Sequence, residues 1–143
     1  MQQFLINNSW LVGLALVSGI MLLWPMLKRG AGGVVSVTPN EAVLLINRAN
    51  AVVLDVRDDA EFAGGHITDA RHIPLAQLTE RIKEIQKFKN QPILVNCRAG
   101  TRSAKACDIL RANQFPQVHN LQGGLNAWTQ AKLPVVKSQG ISD

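Results

Sequence analysis

No charged side chain occurs in the first 27 residues: all fifteen Lys and Arg and all ten Asp and Glu lie at or after Lys28. Within that blank, Trp10 to Leu27 (WLVGLALVSGIMLLWPML) is almost wholly apolar, and Phe4-Leu5-Ile6 extends it through a polar Asn7-Asn8-Ser9. A helix of about 20 residues spans a ~30 Å hydrocarbon core, so the length predicts a membrane-spanning helix over residues 4–27. Trp10 and Trp24 fall near its two ends, where indole rings favour the interface, and Pro25 lies in the last turn. A cleaved signal peptide would need a positive stretch before the apolar run, whereas here only the α-amino group precedes it. A buried core helix should be amphipathic, and this segment is apolar all round.

Lys28-Arg29 follow the run, and a positive flank stays on the cytoplasmic side. The expectation is a single-pass protein of a bacterial inner membrane, with its N-terminus outside and the rest of the chain in the cytoplasm. There both cysteines would remain free thiols, and two cysteines cannot make a disulfide-dense scaffold in any case. Residues 1–29 are thus read as anchor and positive flank, and 30–33 (Gly-Ala-Gly-Gly) as a linker reaching roughly 10–15 Å. Residues 34–137 form one globular domain, and 138–143 a tail.

Inside 34–137, apolar runs alternate with helical patterns. Val34–Val37 is a short strand, and Thr38-Pro39-Asn40-Glu41 a capping box with proline at the first helical position, opening a helix to about Asn47. Ala51–Leu54 and Pro92–Val95 are continuous apolar runs, the mark of strands buried on both faces. Between them, Ala63-Gly64-Gly65 breaks the chain, Arg71–Ile73 is a brief strand, and Leu78, Ile82, Ile85 and Phe88 fall at helical spacing within Gln77–Lys89. Ser103–Ala112 is a helix, Val118–Asn120 a strand, Gly123-Gly124 a tight turn, and Leu125–Ala131 a last helix. Alternating strands and helices predict an α/β domain with a parallel sheet covered on both faces.

The stretch that carries chemistry is Ile93-Leu94-Val95-Asn96-Cys97-Arg98-Ala99-Gly100-Thr101-Arg102-Ser103: a buried strand, a cysteine, a glycine turn and a helix. Ligands of open parallel sheets bind beyond the carboxyl ends of the strands, where Cys97 sits. Backbone N–H groups of a compact loop entering a helix favour negative charge at its centre. Those amides, the helix dipole, Arg98 and Arg102 should lower the Cys97 pKa below the ~8.5 of a free thiol, as a nucleophilic cysteine requires. Cys107, mid-helix between Ala104 and Leu110, reads as core.

The loop CRAGTR, the run Asp55-Val56-Arg57…Glu61-Phe62…Gly65-His66-Ile67…Ala70-Arg71-His72-Ile73-Pro74-Leu75, and Gly123-Gly124-Leu125-Asn126-Ala127-Trp128 together resemble a rhodanese domain over about residues 34–136. The resemblance implies a three-layer fold around a parallel sheet of about five strands and a cysteine that cycles through a persulfide, with no cofactor. On that footing Cys97 takes sulfane sulfur from thiosulfate or a related donor. It then passes the sulfur to cyanide in assays, or to a protein or small thiol in the cell. Cys97 to Arg102 would be the six-residue persulfide cradle, with Arg98, Ala99, Gly100, Thr101 and Arg102 holding the donor. The basic loop argues for thiosulfate over mercaptopyruvate, and Asn96 departs from the aromatic the family often has before its cysteine. Cysteine phosphatases of similar fold use Cys-x5-Arg, one residue longer; here the arginine stands five after Cys97. A catalytically silent rhodanese module serving as a membrane-bound interaction domain remains an alternative, although such copies commonly lose the cysteine; a cysteine phosphatase or arsenate reductase is a third, disfavoured by the loop length.

The remaining charged residues read as structural. Asp55 and Arg57, at the end of a buried strand, suggest an ion pair or loop anchor that could include Glu61, and His66 fixes a turn. The three histidines and two cysteines have no metal-ligand spacing, so no metal is expected. The net charge of +5 includes Lys28, Arg29, Arg98 and Arg102, which leaves little to explain by a nucleic-acid partner.

Overall fold

The computed structural model describes residues 1–30 and 34–138, without the side chains of Leu5 and of residues 25–30. Linker residues 31–33 and tail residues 139–143 lie outside it. The chain divides into two compact units, Met1–Gly33 and Val34–Asp143.

The first unit holds α1 (Gln2–Asn7) and α2 (Ser9–Gly30). The polar Asn7-Asn8-Ser9 noted in the sequence interrupts the helix: Asn8 leaves the helical conformation, and its side-chain amide caps back onto the Phe4 carbonyl at 2.9 Å. Among the described residues, no helix is long and apolar enough to cross a membrane. The spanning helix expected over residues 4–27 is therefore not carried by the described residues.

The second unit is a three-layer α/β domain. Its five strands are β1 (Val35–Val37), β2 (Val52–Asp55), β3 (Arg71–His72), β4 (Ile93–Asn96) and β5 (Val118–Leu121). All pair in parallel in the order β1-β5-β4-β2-β3, the five-stranded sheet expected. The helices are α3 (Pro39–Ala49), α4 (Asp59–Ala63), α5 (Leu78–Arg81), α6 (Thr101–Ala112) and α7 (Gly124–Gln130). The capping box opens α3 as read: Glu41 N–H donates to Thr38 Oγ1 at 3.3 Å, and Thr38 N–H to Glu41 Oε2 at 2.8 Å.

Side-chain alternation on the central strand divides the core. Ile93, Val95 and Cys97 join Leu54, Ala106, Cys107 and Leu110 on one face of the sheet. Leu94 joins Val37, Val53, Leu121 and Trp128 on the other.

Element ends differ from the sequence reading by one or two residues in several places, and two elements differ in kind. The helix expected over Gln77–Lys89 is α5 flanked by 3-10 segments at Leu75–Gln77 and Ile82–Phe88. From Ile82 the apolar side chains recur every third residue (Ile82, Ile85, Phe88), the period of a 3-10 helix. Helix α4 occupies a stretch leading into the Ala63-Gly64-Gly65 break to which the sequence reading gave no element, because five residues are too few to show a period. Helix α6 starts at Thr101, two residues earlier than expected, so Thr101 and Arg102 belong to its first turn.

Leu94 is fully buried at the centre of the middle strand, between β2 and β5. Leu94→Ala should cost about 2–5 kcal/mol of unfolding free energy, read from the urea midpoint at unchanged slope.

Candidate functional site

Strand β4 is buried along its length and delivers Cys97, 1% exposed, just past its carboxyl end. Arg98 and Ala99 turn outward to solvent. Gly100 then takes φ +103°, a left-handed conformation that reverses the chain into α6 and aims its N–H at the sulfur, 3.0 Å from Cys97 Sγ. Ser103, in the first turn of α6, brings Oγ to 3.4 Å from Sγ. Burial pushes the Cys97 thiol up, but the Ser103 hydroxyl and the N–H groups of Ser103, Gly100 and Ala99 pull it down and prevail. The thiol therefore ionises below its ordinary range. Cys107 is the opposite case, pushed up to about 12 by burial and by the Asp108 carboxylate.

The loop is held open toward the sulfur from behind. Leu125 N–H donates to the Cys97 carbonyl at 2.8 Å, and Asn126 N–H to the Arg98 carbonyl at 3.0 Å. With these carbonyls fastened to the first turn of α7, the amides that follow are left facing Sγ. The approach requires Gly124: at φ +57°, a Cβ there would run into the Cys97 carbonyl oxygen and the Arg98 carbonyl carbon. The sequence reading of Gly123-Gly124 as a tight turn missed this contact. Its available signal was a glycine pair opening a helix, where one glycine suffices for a turn.

Of the two loop arginines, Arg102 has a partner that the sequence reading did not foresee. Arg102 is spent on Glu61, with Nη1–Oε1 at 2.7 Å and Nη2–Oε2 at 2.9 Å, and has Asp58 at 4.0 Å. That hydrogen-bonded pairing holds the Glu61 carboxyl down to about 2. The pair ties the start of α6 to α4, and the Arg102 charge, though felt at Cys97, is compensated. Arg98 is exposed and lines a cleft of about 310 Å³ with Arg57, Glu61, Asn126 and Thr129.

Asp55 and Arg57 pair with each other, both buried, through Arg57 Nε at 3.0 Å from each carboxylate oxygen and Nη2 at 2.8 Å. Arg57 Nη2 also donates to the Gly65 carbonyl at 2.7 Å, fastening the far end of the α4 segment. Glu61, which the sequence grouped with this pair, goes to Arg102 instead. His66 holds its turn through Nδ1 at 2.8 Å from the Phe62 carbonyl, and Phe62 is stacked between His66 and His72. Among the described residues, no group of His, Cys, Asp and Glu is placed to hold a metal ion.

Two further residues were missed. Ser103 Oγ donates to Asn120 Oδ1 at 2.6 Å, and Asn120 Nδ2 donates to the Gly100 carbonyl at 3.3 Å, so β5 also supports the cradle.

Gly124→Ala should strain the backbone by about 1–3 kcal/mol and move the Cys97 loop off α7. The melting temperature is expected to fall and alkylation of Cys97 at neutral pH to slow, both measured on the full chain.

The sequence profile described as "Rhodanese-like domain" matches residues 38–131. Uncharacterized protein YqhL of Bacillus subtilis is 44% identical over 78 residues, 54% of this chain and 60% of that one. Thiosulfate sulfurtransferase GlpE of Pseudomonas putida is 35% identical over 107 residues, 75% of this chain and 94% of that one. The chain thus spans less than two thirds of the Bacillus protein and nearly all of the Pseudomonas one. In structure, a rhodanese-related protein from Thermoplasma volcanium superposes with a TM-score of 0.62 at 31% identity, covering 71% of this chain and 97% of that one. The profile runs from the cap of α3 through the Cys97 loop to the end of α7, and the chain belongs to the rhodanese-like domain family.

Proposed function

We propose that this protein is a membrane-tethered sulfurtransferase that carries sulfane sulfur as a persulfide on Cys97, with thiosulfate as the donor class. The observation that carries the reading is a buried sulfur faced by the Gly100 N–H at 3.0 Å and the Ser103 hydroxyl at 3.4 Å, its thiol shifted toward the thiolate. In the first step the Cys97 thiolate attacks the outer sulfur of thiosulfate. The sulfur–sulfur bond of the donor breaks, sulfite leaves with the bonding pair, and Cys97 is left as a persulfide. In the second step a thiolate or cyanide attacks the terminal sulfur, and Cys97 Sγ departs as a thiolate. The same donors serve both steps, because negative charge rests on Sγ at the start and at the end.

Donor recognition is assigned to the amides of Ala99 and Gly100, to Thr101, and to Arg98, whose exposed guanidinium borders the cleft. Arg102 contributes by holding the loop to α4 through Glu61. Asp55 and Arg57 act as supports that fix the same segment.

Tethering is assigned to residues 4–27, with Lys28-Arg29 keeping residues 30–143 on the cytoplasmic side. It is supported by the absence of charge before Lys28 and by the exposure of Leu14, Val17, Ile20, Met21 and Leu22 along α2.

With thiosulfate and cyanide, the full chain should form thiocyanate, and Cys97→Ser should abolish it while Cys107→Ser retains it. Because the thiolate is the nucleophile, the rate should rise with pH through the lowered Cys97 midpoint and level off above it. A Cys97→Ser variant as active as the parent would refute the assignment. In cell membranes the full chain should resist carbonate extraction, and a variant without residues 1–29 should be released. Release of the full chain would refute the tether.

A further inference from the structure

The Ser103 hydroxyl stands between two groups and has one proton to give. On one side is Asn120 Oδ1 at 2.6 Å, and on the other Cys97 Sγ at 3.4 Å. The Asn120 amide is oriented by its Nδ2, which donates to the Gly100 carbonyl at 3.3 Å, so Oδ1 faces Ser103. A carboxamide oxygen only accepts, so Ser103 must be the donor in that bond. Its proton thus committed, Ser103 Oγ can only accept from the sulfur. The resting arrangement is a chain running Cys97 S–H to Ser103 O–H to Asn120 Oδ1.

A thiolate reverses the demand. When the Sγ proton leaves to solvent, Sγ can only accept, and Ser103 satisfies it only by turning its proton away from Asn120. Asn120 is 8% exposed and Ser103 fully buried, so the deserted Oδ1 has little access to water. We propose that Asn120 is a positioning residue for the Cys97 chemistry: it holds the Ser103 hydroxyl away from the sulfur while Cys97 is protonated and so restrains formation of the thiolate. Asn120 and Ser103 then act on the sulfur in opposite senses, although they are hydrogen-bonded neighbours. Such a restraint matters to sulfur transfer because a thiolate that forms too readily leaves faster but attacks more slowly.

The other charged and titratable groups around the thiol are accounted for. Helix α6 contributes Arg102 and Cys107, α4 contributes Glu61 and Asp58 by way of Arg102, and the loop contributes Arg98. On β2 and the residues after it, Asp55 and Arg57 neutralise each other, α7 carries no charged residue, and β5 adds only His119. None of these is altered in the test.

The inference rests on Cys97 being the reactive sulfur, and its test uses no sulfur donor, so it can fail or succeed independently of the sulfurtransferase reading. The ultraviolet absorbance of the thiolate is followed against pH in the full chain, which contains no Tyr to obscure it, while Cys107 stays protonated. Asn120→Ala should lower the Cys97 midpoint by about one pH unit, a tenfold gain in thiolate below the midpoint, and Ser103→Ala should raise it by a similar amount. The double variant should titrate like Ser103→Ala alone. An unchanged or raised midpoint in Asn120→Ala, or the same downward shift persisting without Ser103, would overturn the proposal. A second measurement needs no substitution at Asn120. In the isotope-labelled parent chain, the Asn120 side-chain amide resonances should shift with pH at the Cys97 midpoint, and should stop doing so in Cys97→Ser. Resonances that stay fixed through that midpoint would equally overturn it.

Discussion

Two backbone hydrogen bonds, from Leu125 and Asn126 at the start of α7 to the carbonyls of Cys97 and Arg98, fix the orientation on which the site depends. A peptide unit is rigid, so fastening its carbonyl on one side commits the direction of the chain beyond it. Here that commitment brings the N–H groups of Ala99 and Gly100 round to the sulfur, while Gly100 turns the chain into α6. The contact is possible only because Gly124 has no side chain. A motif that begins less than thirty residues further along the chain thus shapes the electrostatics of Cys97, through geometry and without any charge of its own.

The polarity of the site follows from this. Fixed amide dipoles need no counter-ion and no side-chain ordering, and they act at hydrogen-bond distance inside a buried pocket. Arg102, one of the two arginines expected to help, has its charge matched by Glu61 and acts as a fastening between α6 and α4. Arg57 is matched in the same way by Asp55. Two of the three arginines near the loop are therefore structural, and Arg98 remains to meet an anionic donor from the solvent side. Cys107 lies on the same helix as Ser103 and Arg102, yet it is suppressed by burial without compensating donors. The same residue type is opposite in character at the two positions because of the hydrogen bonds each can reach.

Much of the domain was legible in the sequence, and for local reasons. The Thr38–Glu41 capping box, the buried runs of β2 and β4, and the strand–cysteine–glycine–helix order around Cys97 are all written in adjacent residues. What was not legible depends on pairs far apart in the chain. Glu61 meets Arg102 across 41 residues, and nothing local to Glu61 favours Arg102 over its nearer neighbour Arg57. Asn120 reads as an ordinary residue of a short strand until β5 is placed beside β4. Helix α4 is too short for a period, and the threefold spacing from Ile82 to Phe88 was legible but was read as an α-helix. In the N-terminal segment, composition indicates a span, while among the described residues no helix is long and apolar enough for one.

The central claim is that the negative charge of Cys97 is held by the Ser103 hydroxyl and by backbone amides that α7 keeps in place, with arginine in a minor role. The Cys97 titration midpoint, measured in the full chain from low to high salt, tests it most directly. Exposed guanidinium charges are screened over a Debye length of about 10 Å at 0.1 M salt and about 3 Å at 1 M, whereas buried dipoles in contact with the sulfur are not. The account predicts a midpoint below the ~8.5 of a free cysteine that stays nearly constant across that range. A midpoint that climbs to the free-cysteine value as salt is added would contradict it.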